Sequence, residues 1–98
     1  MLYDRRRDLS QESRDLLAAA EYIRANGWCQ RTTYGSIDPQ SSACIVGALW
    51  RVTQSHERTK HVSDRLSKLG VQHLVRWNDT PGRTVDEVVD LLERAAWS

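Results

Sequence analysis

An uncharged, mostly apolar run of eight residues, 43–50, constrains the fold of this chain more than any other feature. It is far shorter than the roughly 20 residues that a membrane-spanning helix needs. A helix that is apolar most of the way round usually lies at the centre of a protein, so we predict a central helix that begins near Ser41 or Ser42. Gly47 is a costly residue inside a helix, and it predicts that a neighbouring helix approaches closely there. One face of the central helix follows helical spacing through Cys44, Ile45, Ala48, Leu49 and Val52.

The first and last helices carry clear signals at their ends. Asp8 or Ser10 can cap the start of the first helix. Gly27 can supply the left-handed residue that ends it. Thr84 and Glu87 have the spacing of a capping box, which predicts that the last helix begins there.

The segments between these helices carry mixed signals. Residues 28–40 combine residues that favour extended structure with turn signals, which predicts a loop or a short hairpin. Residues 54–60 are polar and predict a turn, followed by a short third helix that ends at Gly70. Residues 71–77 fit either a helical turn or a strand.

The fold class that follows is mainly α, a compact bundle of about four helices with one long irregular loop or short hairpin after the first helix. The 98 residues are enough for one domain and not for two. Residues 1–8 are expected to form a loose leader. We expect Trp50, on the central helix, to lie in the core.

The charge balance limits the classes of partner. The chain has 14 Lys and Arg residues and 13 Asp and Glu residues, so its formal net charge is +1. Dedicated binders of nucleic acids or anionic membranes usually have a clear basic excess, so we expect neither partner. No apolar stretch typical of a secretory signal follows the first basic residues, which predicts a cytoplasmic protein with reduced thiols.

A weak nucleic-acid binder remains an alternative because the third helix has a local basic face. Its cationic side chains lie within residues 60–68 and could contact phosphates. More often such a face is simply solvated. The four side chains are Lys60, His61, Arg65 and Lys68.

A cysteine-dependent enzyme is a second alternative. A thiol nucleophile needs an imidazole beside it and a third group that orients the ring, and the chain offers Cys29, His73 and Asp79 for these roles. Cys29 follows the C-terminal end of a helix, where the negative partial charge raises a thiol pKa. An enzyme is therefore the less favoured hypothesis.

We also expect no metal and no cofactor, because fourteen residues separate the two cysteines and structural zinc sites use closer ligand pairs.

Two polar loops each place a tryptophan beside hydrogen-bonding side chains. Residues 27–30 follow the first helix, and residues 76–79 precede the last. In a structural interpretation, the polar side chains bond backbone groups in turns while the indoles cover the core. In a functional interpretation, both loops meet on one surface and form a binding site from Trp28, Gln30, Trp77, Asn78 and Asp79.

Several segments of the chain, taken in order, resemble an uncharacterised family. They are Gly27-Trp28-Cys29-Gln30, the run from Cys44 to Leu49, Trp77-Asn78-Asp79, and Pro81-Gly82-Arg83-Thr84 with Glu87-Val88. The combination resembles a domain of unknown function that is marked by a Trp-Asn-Asp motif and found in actinobacteria and their phages. The resemblance spans about residues 16–96 and implies a shared structural or binding role, without an activity. The family often has Gly where Arg31 stands here.

The leading functional hypothesis is a small cytosolic interaction module, encoded by a phage, that binds a host or self protein through exposed tryptophan. Trp and Arg are the residues most often found as interface anchors. Trp97, next to the end of the chain, is the strongest candidate for an exposed one. It would either bind a partner, mediate a homodimer or pack on the bundle.

Overall fold

Five helices form the fold of residues 9–98, the part of the chain that the computed structural model describes. The leader expected at residues 1–8 and the cap expected at Asp8 lie outside this part. Helices account for 61% of the described residues, and no strand is present among them, so the mainly α prediction is confirmed. The helices are α1 (Gln11–Asn26), α2 (Ile45–Thr53), α3 (His56–Lys68), α4 (Leu74–Asn78) and α5 (Val85–Ala96).

The ends of α1 and α5 lie where the local signals place them. The Ser10 hydroxyl accepts a hydrogen bond from the Ser13 backbone N–H at 3.2 Å. Gly27 ends α1 with a φ of +97°, and its N–H donates to the Ile23 carbonyl. At the start of α5, Thr84 and Glu87 form the complete capping box. These three helix ends are confirmed, because each signal acts within a single turn of helix, although Gly27 has a ψ of 166° and so adopts an extended positive-φ conformation and not the left-handed helical one.

The start of α2 differs from its prediction near Ser41 or Ser42. Cys44 is the N-cap residue, with an extended backbone, and its Sγ accepts a hydrogen bond from the Gly47 N–H at 3.4 Å. The serines before it belong to the loop, where the Ser42 carbonyl accepts a hydrogen bond from the Gly35 N–H at 2.9 Å. The helix therefore begins at Ile45.

The polar segment 54–60, predicted as a turn, is mostly helical. Gln54 adopts a left-handed conformation at φ +50° and ends α2. Ser55 then caps α3 by accepting a hydrogen bond from the Arg58 N–H at 3.1 Å. The ambiguous segment 71–77 contains the beginning of α4, so it holds a helical turn and not a strand.

The close approach predicted at Gly47 exists, but the neighbour is the loop between α1 and α2 and not a helix. A Cβ added at Gly47 would lie 2.6 Å from the Thr33 carbonyl oxygen and 2.9 Å from the Tyr34 ring. The Arg51 guanidinium covers the same ring, 4.0 Å from its centroid. The absence of a side chain at Gly47 therefore lets the loop backbone lie directly on α2.

The hydrophobic core lies where α1, α2, α3 and α5 meet, and the contact between α1 and α5 is the most extensive. Fully burying one large aliphatic side chain stabilises the fold by about 1.5–3 kcal/mol. The largest fully buried apolar side chains are Leu16, Ile23, Ile45, Leu49, Val62, Leu66, Val88 and Leu92.

Trp50 is half-buried, so its prediction as a core residue is wrong. Ile45 and Leu49 occupy the buried face of α2, and Trp50 lies beside that face. Its ring instead stacks on His56, with 4.6 Å between the ring centroids.

No helix within residues 9–98 is long and apolar enough to cross a membrane.

Gly47→Ala should lower the thermal stability of the protein. In an open helix this change stabilises by about 1 kcal/mol, but here the new methyl group meets the Thr33 carbonyl. We expect a net loss of about 1–3 kcal/mol, the usual cost of overpacking, measured by urea denaturation. Ser63→Ala, on the partly exposed surface of α3, is the control for helix propensity. An increase in stability for Gly47→Ala would contradict the close approach.

Candidate functional site

The side chain of Asn78, at the end of α4, joins the two polar loops. It is fully buried. Its Oδ1 accepts hydrogen bonds from the Trp28 indole N–H at 2.6 Å and from the Ile45 backbone N–H at 2.9 Å. Its Nδ2 donates to the Cys29 carbonyl at 3.1 Å and to Asp79 Oδ1 at 3.0 Å. A carboxamide offers two donors and two acceptor lone pairs, so this one is fully used.

Gln30 and Asp79 add a second set of bonds between the same loops. Gln30 Nε2 donates to the carbonyls of Asn78 and Thr80, at 2.9 and 3.1 Å. The Arg31 backbone N–H donates to Asp79 Oδ1 at 2.9 Å. We call residues 28–31 together with Asn78 and Asp79 the clasp.

Arg31 adopts a backbone conformation that favours glycine. Its φ is +68°, and the left-handed region costs a residue with a side chain roughly 1–2 kcal/mol. The hydrogen bond from its N–H to Asp79 holds it there. A glycine at this position would adopt the same conformation without that cost.

The model of the family of unknown function DUF6197 matches residues 9–97. The chain belongs to this family. No curated protein and no solved structure matches it. The family description carries no activity, so the function of this DUF6197 chain has to be argued from its geometry.

The clasp uses its polar side chains internally, as the structural interpretation of the two loops expects. The carboxylate of Asp79 receives both the Arg31 N–H and the Asn78 amide. These bonds, with the Arg31 N–H making the larger contribution, hold the pKa of Asp79 below its ordinary value of 3.8. Asp79 therefore stays ionised throughout the neutral range and accepts hydrogen bonds within the fold.

Trp77 is also held by neighbouring residues. The Arg83 guanidinium lies over its ring, 4.0 Å from the centroid, and Arg83 Nε donates to the Trp77 carbonyl at 3.1 Å. Arg83 is fixed in turn by an ion pair with Glu87 at 2.8 Å. The ring packs against the core from the outside, so Trp77 attaches α4 to the bundle.

The three candidate catalytic residues of this DUF6197 chain are not joined to one another. The Cys29 thiol lies 3.5 Å from the Thr32 carbonyl, and burial raises its pKa. His73 is exposed at the N-cap of α4. The hydrogen bonds of the Asp79 carboxylate go to Arg31 and Asn78. Within residues 9–98, no hydrogen bond connects Cys29, His73 and Asp79, and the raised pKa opposes formation of a thiolate.

The basic face expected on α3 is only partly free. Arg65 points toward α1 and donates to the hydroxyls of Ser13 and Ser10, at 2.6 and 3.2 Å. Lys60 lies 3.9 Å from the carboxylate of Asp64. His61 and Lys68 are exposed. The positive charge available for phosphate contacts is therefore smaller than the sequence suggests.

Two open grooves contain apolar side chains that remain partly exposed. The first, which we call the α1–α5 groove, has a volume of about 600 Å³ and is lined by Ile23, Arg24, Gly27, Trp28, Val85, Asp86 and Val89. The second, the α3–α4 groove, has a volume of about 750 Å³ and includes Val46, Val71, Leu74 and Val75. Among the sequence-predicted binding residues, Trp28 lines the first groove, and Trp97 is 49% exposed at the end of α5.

Val85 is a groove residue whose exposure the helical spacing of α5 does not indicate. Helical spacing places it on the apolar stripe of α5, yet 40% of its surface is exposed. It is the first residue of α5. Its position directly after the Thr84 cap is the signal that could have indicated this.

Asn78→Ala should destabilise the fold strongly. It removes four hydrogen bonds and leaves the Ile45 N–H buried without its partner. We expect a loss of about 3 kcal/mol in the free energy of unfolding. Asn26→Ala is the control, because Asn26 donates one bond to the Tyr22 carbonyl, and its loss should cost at most about 1 kcal/mol. Equal losses for the two variants would contradict a central role for Asn78.

Asp79→Asn should make the melting temperature of the protein depend less strongly on pH at acidic pH. Since the folded pKa of Asp79 is lowered, its contribution is present above its unfolded pKa and disappears as the pH falls through its folded pKa. Melting temperatures measured from about pH 5 downward should fall less steeply for this variant than for wild type. Asp90→Asn, which removes an exposed carboxylate of α5, is the control. An unchanged acid limb would show that Asp79 does not contribute.

Proposed function

We propose that this chain is a protein-interaction module that binds its partner through the α1–α5 groove. The observation that carries the proposal is the position of Trp28. Its indole N–H is satisfied inside the clasp by Asn78, while the residue also lines the groove. A tryptophan that is held in place and still accessible loses little conformational freedom when it binds, which is why such residues anchor interfaces.

The floor of the groove supports an apolar occupant. Ile23 and Val89 are buried at its base, and Val85 stands partly exposed at its edge. Together with the Trp28 ring they form a surface suited to one or two apolar side chains. The free energy of filling it comes from apolar area removed from water, about 25 cal/mol per Å².

The charges on the rim of the groove favour a partner that has a basic residue beside its apolar side chain. The Arg24 guanidinium is bound by both carboxylate oxygens of Glu93, at 3.0 and 3.1 Å. Asp86 is exposed, and its charge adds to the rise that Glu93 causes in the pKa of Arg24 on the same rim, but within residues 9–98 it belongs to none of the ion pairs. A partner segment with an apolar side chain next to Lys or Arg therefore complements the groove.

The biological setting is part of the proposal. The resemblance to a family of actinobacteria and their phages, the small size and the excess of Arg over Lys suit a phage-encoded accessory protein that binds a host or self protein in the cytoplasm. Homodimerisation through Trp97 is a second candidate, favoured by the 49% exposure of that residue. Trp97 lies twelve residues after Val85, about 18 Å along the helix, so the two surfaces are distinct.

Selection from a library of random peptides tests the groove. We expect the full chain to enrich peptides with an apolar residue flanked by Lys or Arg. Val85→Asp should weaken the binding of an enriched peptide at least tenfold, about 1.4 kcal/mol. Aspartate in the first turn of a helix is compatible with its dipole, so this variant should remain folded.

Two variants serve as controls for the peptide measurement. Val75→Asp places the same change on a valine that is 58% exposed in the other groove, and it should leave the affinity unchanged. Asp86→Asn should reduce the preference for a flanking basic residue, whereas Asp90→Asn should not. Loss of binding with Val75→Asp but not with Val85→Asp would overturn the assignment to the α1–α5 groove. A selection that enriches no peptide would overturn the proposal itself.

A further inference from the structure

We propose that Cys29 and Cys44 form an intramolecular disulfide when the protein meets a low-molecular-weight disulfide, and that this bond fastens the loop between α1 and α2. The inference is independent of the proposed groove. Both cysteines are free thiols in the structure. The proposal rests on how the backbone brings them together.

A short parallel pairing aligns the two cysteines. Trp28 and Ala43 form a parallel bridge, in which the Cys29 N–H donates to the Ala43 carbonyl at 3.2 Å and the Ala43 N–H donates to the Gly27 carbonyl at 3.2 Å. Cys29 and Cys44 are the next residues on the two paired segments. Paired backbones lie about 4.8 Å apart, within the roughly 4.4–6.8 Å between Cα atoms that a disulfide spans.

The side chains also lie on the same side of this pairing. Successive side chains in extended backbone alternate between faces, so the residues that follow the bridged pair share a face. The Thr33 carbonyl lies close to both residues: its oxygen is 4.0 Å from Cys29 Sγ and accepts the backbone N–H of Cys44 at 2.9 Å. Burial raises the pKa of the Cys29 thiol, a hydrogen bond with the Ser42 side chain lowers it, and the charge of Cys44 adds a smaller rise.

The chemistry is a pair of thiol–disulfide exchanges. The Cys29 sulfur is half-buried and reachable from solvent. In its thiolate form, which the raised pKa makes scarce at neutral pH, it attacks the small disulfide slowly, so that a mixed disulfide forms and one small thiolate leaves. The buried Cys44 sulfur, placed at the N-terminus of α2, then attacks the Cys29 sulfur and releases the second small thiolate. Two protein thiols are oxidised and one small disulfide is reduced. The two protons lost by the cysteines protonate the two small thiolates.

The expected consequence is a more stable loop. The bond closes a loop with fourteen intervening residues that includes Gln30 and Arg31 of the clasp. Cross-linking a loop of this length restricts the unfolded chain, and for a domain of this size we expect a rise of about 10 °C in melting temperature.

The experiment incubates the purified full chain with oxidised glutathione, using reduced glutathione for the reduced reference. The expected product of wild type is a monomer that has lost the mass of two hydrogens, resists alkylation and melts about 10 °C higher than the reduced protein. Cys44→Ser, in which serine keeps an N-cap side chain, should stop at the mixed disulfide on Cys29 and show no such rise. Cys29→Ser should also form no internal bond, and it provides the same readout if Cys44→Ser does not fold.

Three results would overturn the inference. Wild type could stop at the glutathione adduct, which would show that the sulfurs do not meet. It could form only disulfide-linked dimers, which would show that the reactive thiol meets a second molecule and not the other cysteine of the same chain. It could form the internal bond and melt at a lower temperature, which would show that the native loop does not accommodate it.

Discussion

The fully bonded amide of Asn78 is the interaction on which the rest of the structure depends. α4 has five residues, too few for a helix that is stable alone, and the loop after α1 has no strand to hold it. The same carboxamide bonds the loop at Trp28 and Cys29 and the start of α2 at Ile45. Burying such a group is favourable only when every bond is made, so these elements order one another.

The clasp also determines which groups remain available for function. It directs the polar atoms of Trp28, Gln30 and Asp79 inward, and it leaves Trp28 lining a groove beside α5. It places the loop directly on α2, where Gly47 provides the space. The same path of the loop aligns Cys29 with Cys44. The groove and the cysteine pair are thus two consequences of one folded segment. The groove is proposed to bind a partner, and the cysteines are proposed to form a disulfide.

Sequence reasoning succeeded where the deciding interactions are local and failed where they are not. The ends of α1 and α5 follow from Ser10, Gly27 and the Thr84 capping box, each acting across three or four residues. Local signals place the start of α2 too early, because cysteine is not among the usual N-cap residues and Cys44 fits the apolar stripe. The sequence predicts a helix as the neighbour of Gly47, because no local pattern indicates that the loop between α1 and α2 folds back onto α2.

The sequence by itself determined the helical class, the ends of the outer helices and the two polar loops that carry the family resemblance. Periodicity and capping depend on residues that are close together in the sequence, so they can be recognised without a structure. Only the tertiary structure decided that Trp28 donates to Asn78 across a separation of fifty residues, and that Val85 is exposed while Trp50 leaves the core. These outcomes depend on how the helices pack, because packing alone selects which distant polar groups meet and which apolar faces stay in contact with water.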